Sequence, residues 1–473
     1  MSEEKLTLKK KFLFGLSAFP DQLTYQIFQF LIFTFYFTVV KIPLTLMIIT
    51  YIIWGIWNAV NDPVLGAISE RTKHRGKWGK RKFYLLISIV PLCLMVILMF
   101  YVPFNTSEKT LEFVYFLLTI IIFEFFYTMF DVNVNALFPE MFPNMKQRAA
   151  TNLIIKAVTV VALILSSLIP LIFISDYVPE NDLQIPDIKN EYLMMAIVIG
   201  IFTLIFSIPF LLKGIEERVE RAEEFQKRPT FIQSMKITLT NKTFVKFVVA
   251  NTAVWYCFSI LPMIIPIYAE FVIGGSLFAG GGSLIVGVAL MLAFVIAALV
   301  MPIHRKLGFK YGMRKAFMIT LVVWIGTLFP FLFITGEDFQ IAFIILIALQ
   351  GFPLSGALFY VDILHADVID EDAVKFGVKR SASYYGINAF IHRISIILVI
   401  LTIGLMFGNI GWDKQFDPLP SDPLLVVLGL KAIMVIFPSI ALVIGLLAMR
   451  SYGLHGERLK EMREKLKEHP ELV

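Results

Sequence analysis

Apolar runs of roughly twenty residues recur along this chain, among them 83–101, 194–212, 284–302 and 424–447. A helix needs about that length to cross ~30 Å of hydrocarbon with every backbone amide bonded internally. Only 16% of the chain is charged and 58% is hydrophobic, whereas a soluble domain carries about 25% charged residues. The chain is therefore read as an all-α, multi-pass integral membrane protein. The short alternating segments that a membrane barrel requires are absent.

Twelve spans are expected, at about 12–39, 43–69, 83–103, 111–142, 148–174, 191–213, 244–271, 280–303, 315–335, 339–366, 381–408 and 424–449. One set of connections is basic: 9–11, 71–82, 146–148, 305–315, 375–380 and the tail from Arg450. The other set, 176–191, 337–338 and 413–422, is acidic or nearly neutral. Positive connections stay inside, which places both termini in the cytoplasm and agrees with an even number of spans. The stretch that begins near Phe12 is too long for a cleaved leader and is read as the first span.

A hydrophilic linker, 214–243, separates an N-terminal six-helix bundle, 1–213, from a C-terminal one, 244–449, with a basic tail at 450–473. The halves echo one another. Lys77-Trp78-Gly79-Lys80-Arg81-Lys82-Phe83 follows the second span, and Lys310-Tyr311-Gly312-Met313-Arg314-Lys315-Ala316-Phe317 follows the eighth. The same basic loop at the same place in each half reads as a parallel duplication. Cys93 and Cys257 both fall in apolar segments and imply no disulfide framework. The net charge of +6 sits between spans, so it signals orientation in a bilayer, not nucleic acid.

Polar side chains inside such spans are costly and mark sites. Asn58, Asn61 and Asp62 stand at i, i+3 and i+4 in the second span, on one helical face. Glu124, Thr128, Asp131 and Asn135 do the same in the fourth. Together they offer oxygen ligands for a small cation or a carboxylate to hold a proton. The bland alternative is that the amides and Thr128 only bond neighbouring helices. Asp21 falls about ten residues into the first span, near mid-membrane. Lys156 and Arg393 are buried cations expected to meet carboxylates, and His392 is either a proton relay or a packing residue. Asp362, His365, Asp367 and Asp370 read as gate or loop-pairing residues. Tyr127, Trp255 and Tyr384 share spans with the polar faces and could stack on a solute. No nucleophile–base set, metal-ligand cluster or phosphate loop is visible, so an enzyme is not expected.

Three segments carry a family resemblance across nearly the whole chain: Trp57-Asn58-Ala59-Val60-Asn61-Asp62-Pro63 through Gly66, Glu70 through Arg81, and Asp367 through Arg393 with Tyr384-Tyr385-Gly386 and Asn388. They resemble the glycoside–pentoside–hexuronide:cation symporters, the melibiose permease family of the major facilitator superfamily. The resemblance implies the major facilitator fold and a cation site at Asn58, Asn61, Asp62 and Thr128. It implies solute contacts at Asp21, Asp131, Lys156 and Arg393, to which Tyr127 and Asn135 are added by position. Three positions depart from the family's pattern. Its first cation-site Asp is Asn58, its Arg-Glu-Gly is Arg380-Ser381-Ala382, and a sugar-site Trp is Asn135. Glu124, one turn from Thr128, is expected to restore the missing carboxylate.

The expected function is cation-coupled symport of a sugar or glycoside by alternating access. The ion is H⁺ or Na⁺, with Asp62 and Thr128 as metal ligands if it is Na⁺. A lysophospholipid or other amphipathic solute is the first alternative, and a non-transporting membrane sensor the second. The expected partners are a small solute and the bilayer, the expected location is the plasma membrane, and no cofactor and no obligate protein partner are expected.

Overall fold

The computed structural model describes residues 7–72, 79–107, 109–142, 145–179, 181–217, 236, 238–274, 281–377, 380–409, 411–412 and 423–468. Most of the expected linker, the basic residues 73–78 and the acidic connection 413–422 lie outside them. The regular structure of the described residues is helical, and eleven helices are long and apolar enough to cross a membrane. The first expected span is not among the eleven. It is broken into α1 (Leu8–Gly15) and α2 (Ala18–Thr34), continued by a π-turn at Phe35–Val39. Gln22, Gln26 and Gln29 make α2 the most polar of the expected spans. The break places Asp21 in the first turn of α2, where the helix dipole favours a carboxylate.

The chain divides into two compact units. The first takes in 1–224 with 275–291 and 412–417. Its further helices are α3 (Leu44–Arg71), α4 (Arg81–Phe100), α5 (Thr110–Met141), α6 (Met145–Phe173) and α7 (Ile185–Pro209). α5 packs on α3 and α4, and α2 packs on α6 and α7. α3 shows why. Ile49, Ile53, Ile56, Val60, Val64 and Ile68 form an exposed stripe, while Thr50, Trp54, Asn58, Asn61 and Leu65 are buried. Apolar residues outward and polar residues inward is the reverse of a soluble helix, as a lipid solvent demands. The start of α4 is fastened twice. The Lys80 and Lys82 amides both donate to the Glu217 carboxylate, and Arg81 bonds Glu140 through Nε at 2.8 Å and through Nη2.

The second unit takes in 225–274, 292–411 and 418–473. It holds α8 (Lys242–Tyr268), most of α9 (Gly281–Tyr311), α10 (Met313–Leu328), α11 (Gln340–Leu349), α12 (Gly351–Phe376), α13 (Ser381–Phe407), α14 (Pro423–Lys431), α15 (Phe437–Arg450) and α16 (Glu457–Glu468). α8 packs on α13 and α15, and α10 on α12 and α15. α9 runs to Tyr311 and α12 to Phe376, so the expected loop 305–315 is helical except at Gly312. Gly312, with φ of 84°, makes the whole connection to α10, a backbone that L side chains rarely adopt. Gly351 lets α12 approach α9 so closely that a Cβ there would lie 2.1 Å from the Ala293 carbonyl oxygen. α16, in the basic tail, docks on α12 through Arg463–Asp367 at 3.0 Å and Arg458–Glu371.

Candidate functional site

Two turns of α3 and three of α5 supply the first group of side chains. Trp54, Asn58 and Asp62 follow at four-residue intervals on α3, facing Glu124 and Thr128 of α5. The Trp54 indole N–H donates to Glu124 Oε2 at 3.0 Å. The Thr128 hydroxyl lies 3.1 Å from Asp62 Oδ1 and 3.4 Å from Glu124 Oε1. It has one proton to give, so it serves one carboxylate as donor and offers lone pairs beside the other. Asn61 donates to the Glu124 carbonyl oxygen at 3.1 Å, which fixes the register of α3 on α5.

Asn58 is fully buried, and neither its Oδ1 nor its Nδ2 has a hydrogen-bond partner. One turn to either side, Trp54 and Asp62 both reach α5. The unpartnered amide therefore faces the same seam as the two carboxylates. Leaving a buried amide unbonded costs about 1–3 kcal/mol, and such a group calls for an explanation.

A second group lies one turn along α5. The Tyr127 hydroxyl donates to Asp21 Oδ1 at 2.7 Å, and Gln22 Nε2 donates to Oδ2 at 2.6 Å. Tyr25 stacks on Tyr127 with ring centroids 4.6 Å apart. Lys156 acts on Asp21 as a neighbouring charge, and Asp131 acts on Tyr127. Asn135 Nδ2 donates to Asp131 Oδ1 at 2.8 Å. The group around Asp62, through Thr128, and the group around Asp131, through Asn135, thus both draw on side chains of α5. Among the described residues no cluster of three His, Cys, Asp or Glu side chains could hold a metal.

Residues 13–456 match the family described as MFS/sugar transport protein. The chain belongs to that family. Among curated relatives, the uncharacterized symporter YjmB of Bacillus subtilis is 21% identical over 98% of this chain and 97% of its own length. The sodium-dependent lysophosphatidylcholine symporter 1-A of Danio rerio is 21% identical over 96% and 87%. Among solved structures, the nucleoside transporter NupG superposes with a TM-score of 0.63 at 15% identity, covering 94% of this chain and all of that one (100%). These likenesses establish the major facilitator fold in an integral, multi-pass membrane protein.

In this family member, Asp21, Asn58, Asn61, Asp62, Glu124, Tyr127, Thr128, Asp131, Asn135 and Lys156 all lie in the first unit, and His392 and Arg393 lie in the second. The His392 ring sits 4.1 Å from that of Trp255, with Arg393 as a neighbouring charge. Tyr384 is a structural residue. Its hydroxyl donates to Asp372 at 2.8 Å and accepts from Asn241 at 2.9 Å. Sequence reasoning missed Trp54 and Tyr25. Each was within reach of it, since Trp54 is four residues before Asn58 and Tyr25 four after Asp21.

Proposed function

We propose that this chain is a Na⁺-coupled symporter whose coupling centre is formed by Asn58, Asp62, Glu124 and Thr128. The observation that carries the reading is the Thr128 hydroxyl between two carboxylates, with the unpartnered Asn58 amide alongside. One hydroxyl proton cannot serve both carboxylates, and a cation beside them would draw on Asp62, Glu124, Thr128 and Asn58 oxygens together. H⁺ is the competing ion, held on one carboxylate with Thr128 bridging. Named sodium-dependent relatives favour Na⁺.

The solute group is Asp21, Tyr127, Asp131, Asn135 and Lys156, with Arg393 retained as a proposed contact. Carboxylates that accept hydroxyl protons suit a sugar or glycoside, in keeping with the family's description. A lysophospholipid is the second reading, supported by the lysophosphatidylcholine symporters that align across almost the whole chain. Transport would proceed by alternating access in a cell membrane, with ion binding favouring the solute-binding conformation.

The test is uptake of radioactive sodium into proteoliposomes while a panel of glycosides and lysolipids is added, at two values of external pH. Sodium entry stimulated by one solute class supports the proposal and names the class. Solute-stimulated proton entry without sodium entry replaces Na⁺ by H⁺. Solute binding without counterflow makes the protein a sensor and overturns the transport reading.

A further inference from the structure

The second unit contains a cavity of about 420 Å³ that the transport reading does not use. It lies where the start of α8, the end of α12 and the segment leading into α16 meet. Lys242, Lys246, Lys375 and Arg458 line it, together with the hydroxyls of Thr240 and Thr243. The only carboxylate among its lining residues is Asp372.

That carboxylate is already engaged. Asp372 is 1% exposed and accepts from Arg380 Nε at 2.8 Å and Nη2 at 2.6 Å, and from the Tyr384 hydroxyl at 2.8 Å. Tyr384 is held in turn by Asn241 at 2.9 Å. The wall is therefore a rigid network and not a mobile counter-ion. Glu371, just behind, takes both Arg458 and Lys375 Nζ, the latter at 3.1 Å. Lys246 is steadied by the Ser451 carbonyl oxygen at 2.5 Å, a contact that leaves its charge unbalanced. Among the lining residues, Lys242, Lys246, Lys375 and Arg458 thus stand against Asp372 alone, an excess of three positive charges, with Lys375 and Arg458 also paired to Glu371 behind the wall.

The size is that of a small-ligand pocket, and its donors are the Lys and Arg side chains, since the Thr240 hydroxyl already donates to the Lys236 carbonyl oxygen at 2.6 Å and the Thr243 hydroxyl to Glu371. Cationic donors converging on one concavity suit an oxyanion with several acceptor oxygens. The cavity also opens at the first residues of a 27-residue helix, whose dipole adds positive potential there, although the Thr243 and Phe244 amides are already capped by the Asn241 side chain. We propose that this cavity binds a phosphate group, carried either by a membrane lipid headgroup or by a soluble phosphate compound. The site is separate from the coupling and solute groups, all of whose carboxylates lie in the first unit.

The experiment uses the full chain purified in neutral detergent and in phosphatidylcholine nanodiscs. Binding of two probes, phosphatidic acid in the lipid phase and inorganic phosphate in the aqueous phase, is titrated by native mass spectrometry and calorimetry. The expected result is saturable binding at one site per chain, weakened at least tenfold in Lys242→Gln/Lys375→Gln. Lys310→Gln, which removes an exposed cation from α9, should leave binding unchanged. Phosphatidic acid alone binding identifies the lipid source, inorganic phosphate alone the soluble source, and both together recognition of the phosphate itself. If the double variant melts early, the exposed Lys242→Gln by itself should still weaken binding about threefold. The proposal is overturned if neither probe saturates, if the Lys242 variants bind as the wild type does, or if Lys310→Gln loses as much.

Discussion

Glu124→Gln separates charge from shape at the proposed coupling centre. The amide keeps an acceptor for the Trp54 indole N–H, now 3.0 Å from Oε2, and fills the same volume against Thr128. It removes one negative charge from a site where the side chain is fully buried. A unit charge about 4 Å from a cation contributes about 4 kcal/mol at an effective dielectric constant near 20. That corresponds to roughly a thousandfold in ion affinity. Part of it will be offset, because the wild-type carboxylate must be stripped of water and the amide still offers an oxygen. A loss of at least thirtyfold is the expected outcome. The assay is equilibrium binding of radioactive sodium to purified protein, run with a melting curve to establish that the variant is folded. Solute-driven uptake and its pH profile are then compared with wild type in proteoliposomes. Unchanged sodium affinity together with an unchanged pH profile would refute the role of Glu124 and, with it, the two-carboxylate argument.

Three further outcomes are expected. Tyr127→Phe deletes the 2.7 Å bond to Asp21; a hydrogen bond to a charged group contributes about 1.5–3 kcal/mol, so the half-saturating solute concentration in uptake should rise roughly ten- to a hundredfold. Arg380→Ala strands the buried Asp372 carboxylate and should cost about 3–5 kcal/mol, read as a large drop in melting temperature, while Asp372→Asn/Arg380→Ala should recover part of it. Gly351→Ala places a methyl group 2.1 Å from the Ala293 carbonyl oxygen and should destabilise by about 1–3 kcal/mol through forced separation of α9 and α12, whereas a melting curve like that of wild type would mean that the helices can part without cost.

Much of the site was legible because helical periodicity alone puts Glu124, Thr128, Asp131 and Asn135 on one face of α5, and the contacts of Glu124, Thr128 and Asp131 follow that face. What periodicity cannot give is which face of α3 meets it. The Trp54–Glu124 bond, which sets that pairing, joins residues 70 apart. The break before α2 was hidden for a different reason. Phe12 through Val40 is rich enough in Phe and Ile to read as one span, and its polar residues lie at positions where a buried helix face would also tolerate them. The longer ends of α9 and α12 are not legible in the sequence, because runs of charge there look like loop. Asp367 and Glu371 are nonetheless helical, since Arg463 and Arg458 of α16 neutralise them. The division of labour at Glu217 was likewise invisible, because a carboxylate far along the chain supplies the acceptor for the Lys80 and Lys82 amides.

Pro63 stands immediately after Asp62 within α3. Lacking an amide proton, it leaves the Ala59 carbonyl without its customary helical donor and crowds the preceding turn. One rung of the ladder is therefore missing in the turn that carries Asn58, Asn61 and Asp62, so α3 bends there at less cost than elsewhere along its 28 residues. The weakest rung of α3 thus lies in the same turn as the side chains that meet Glu124 and Thr128, so a hinge there would act directly on the helix pairing at that group.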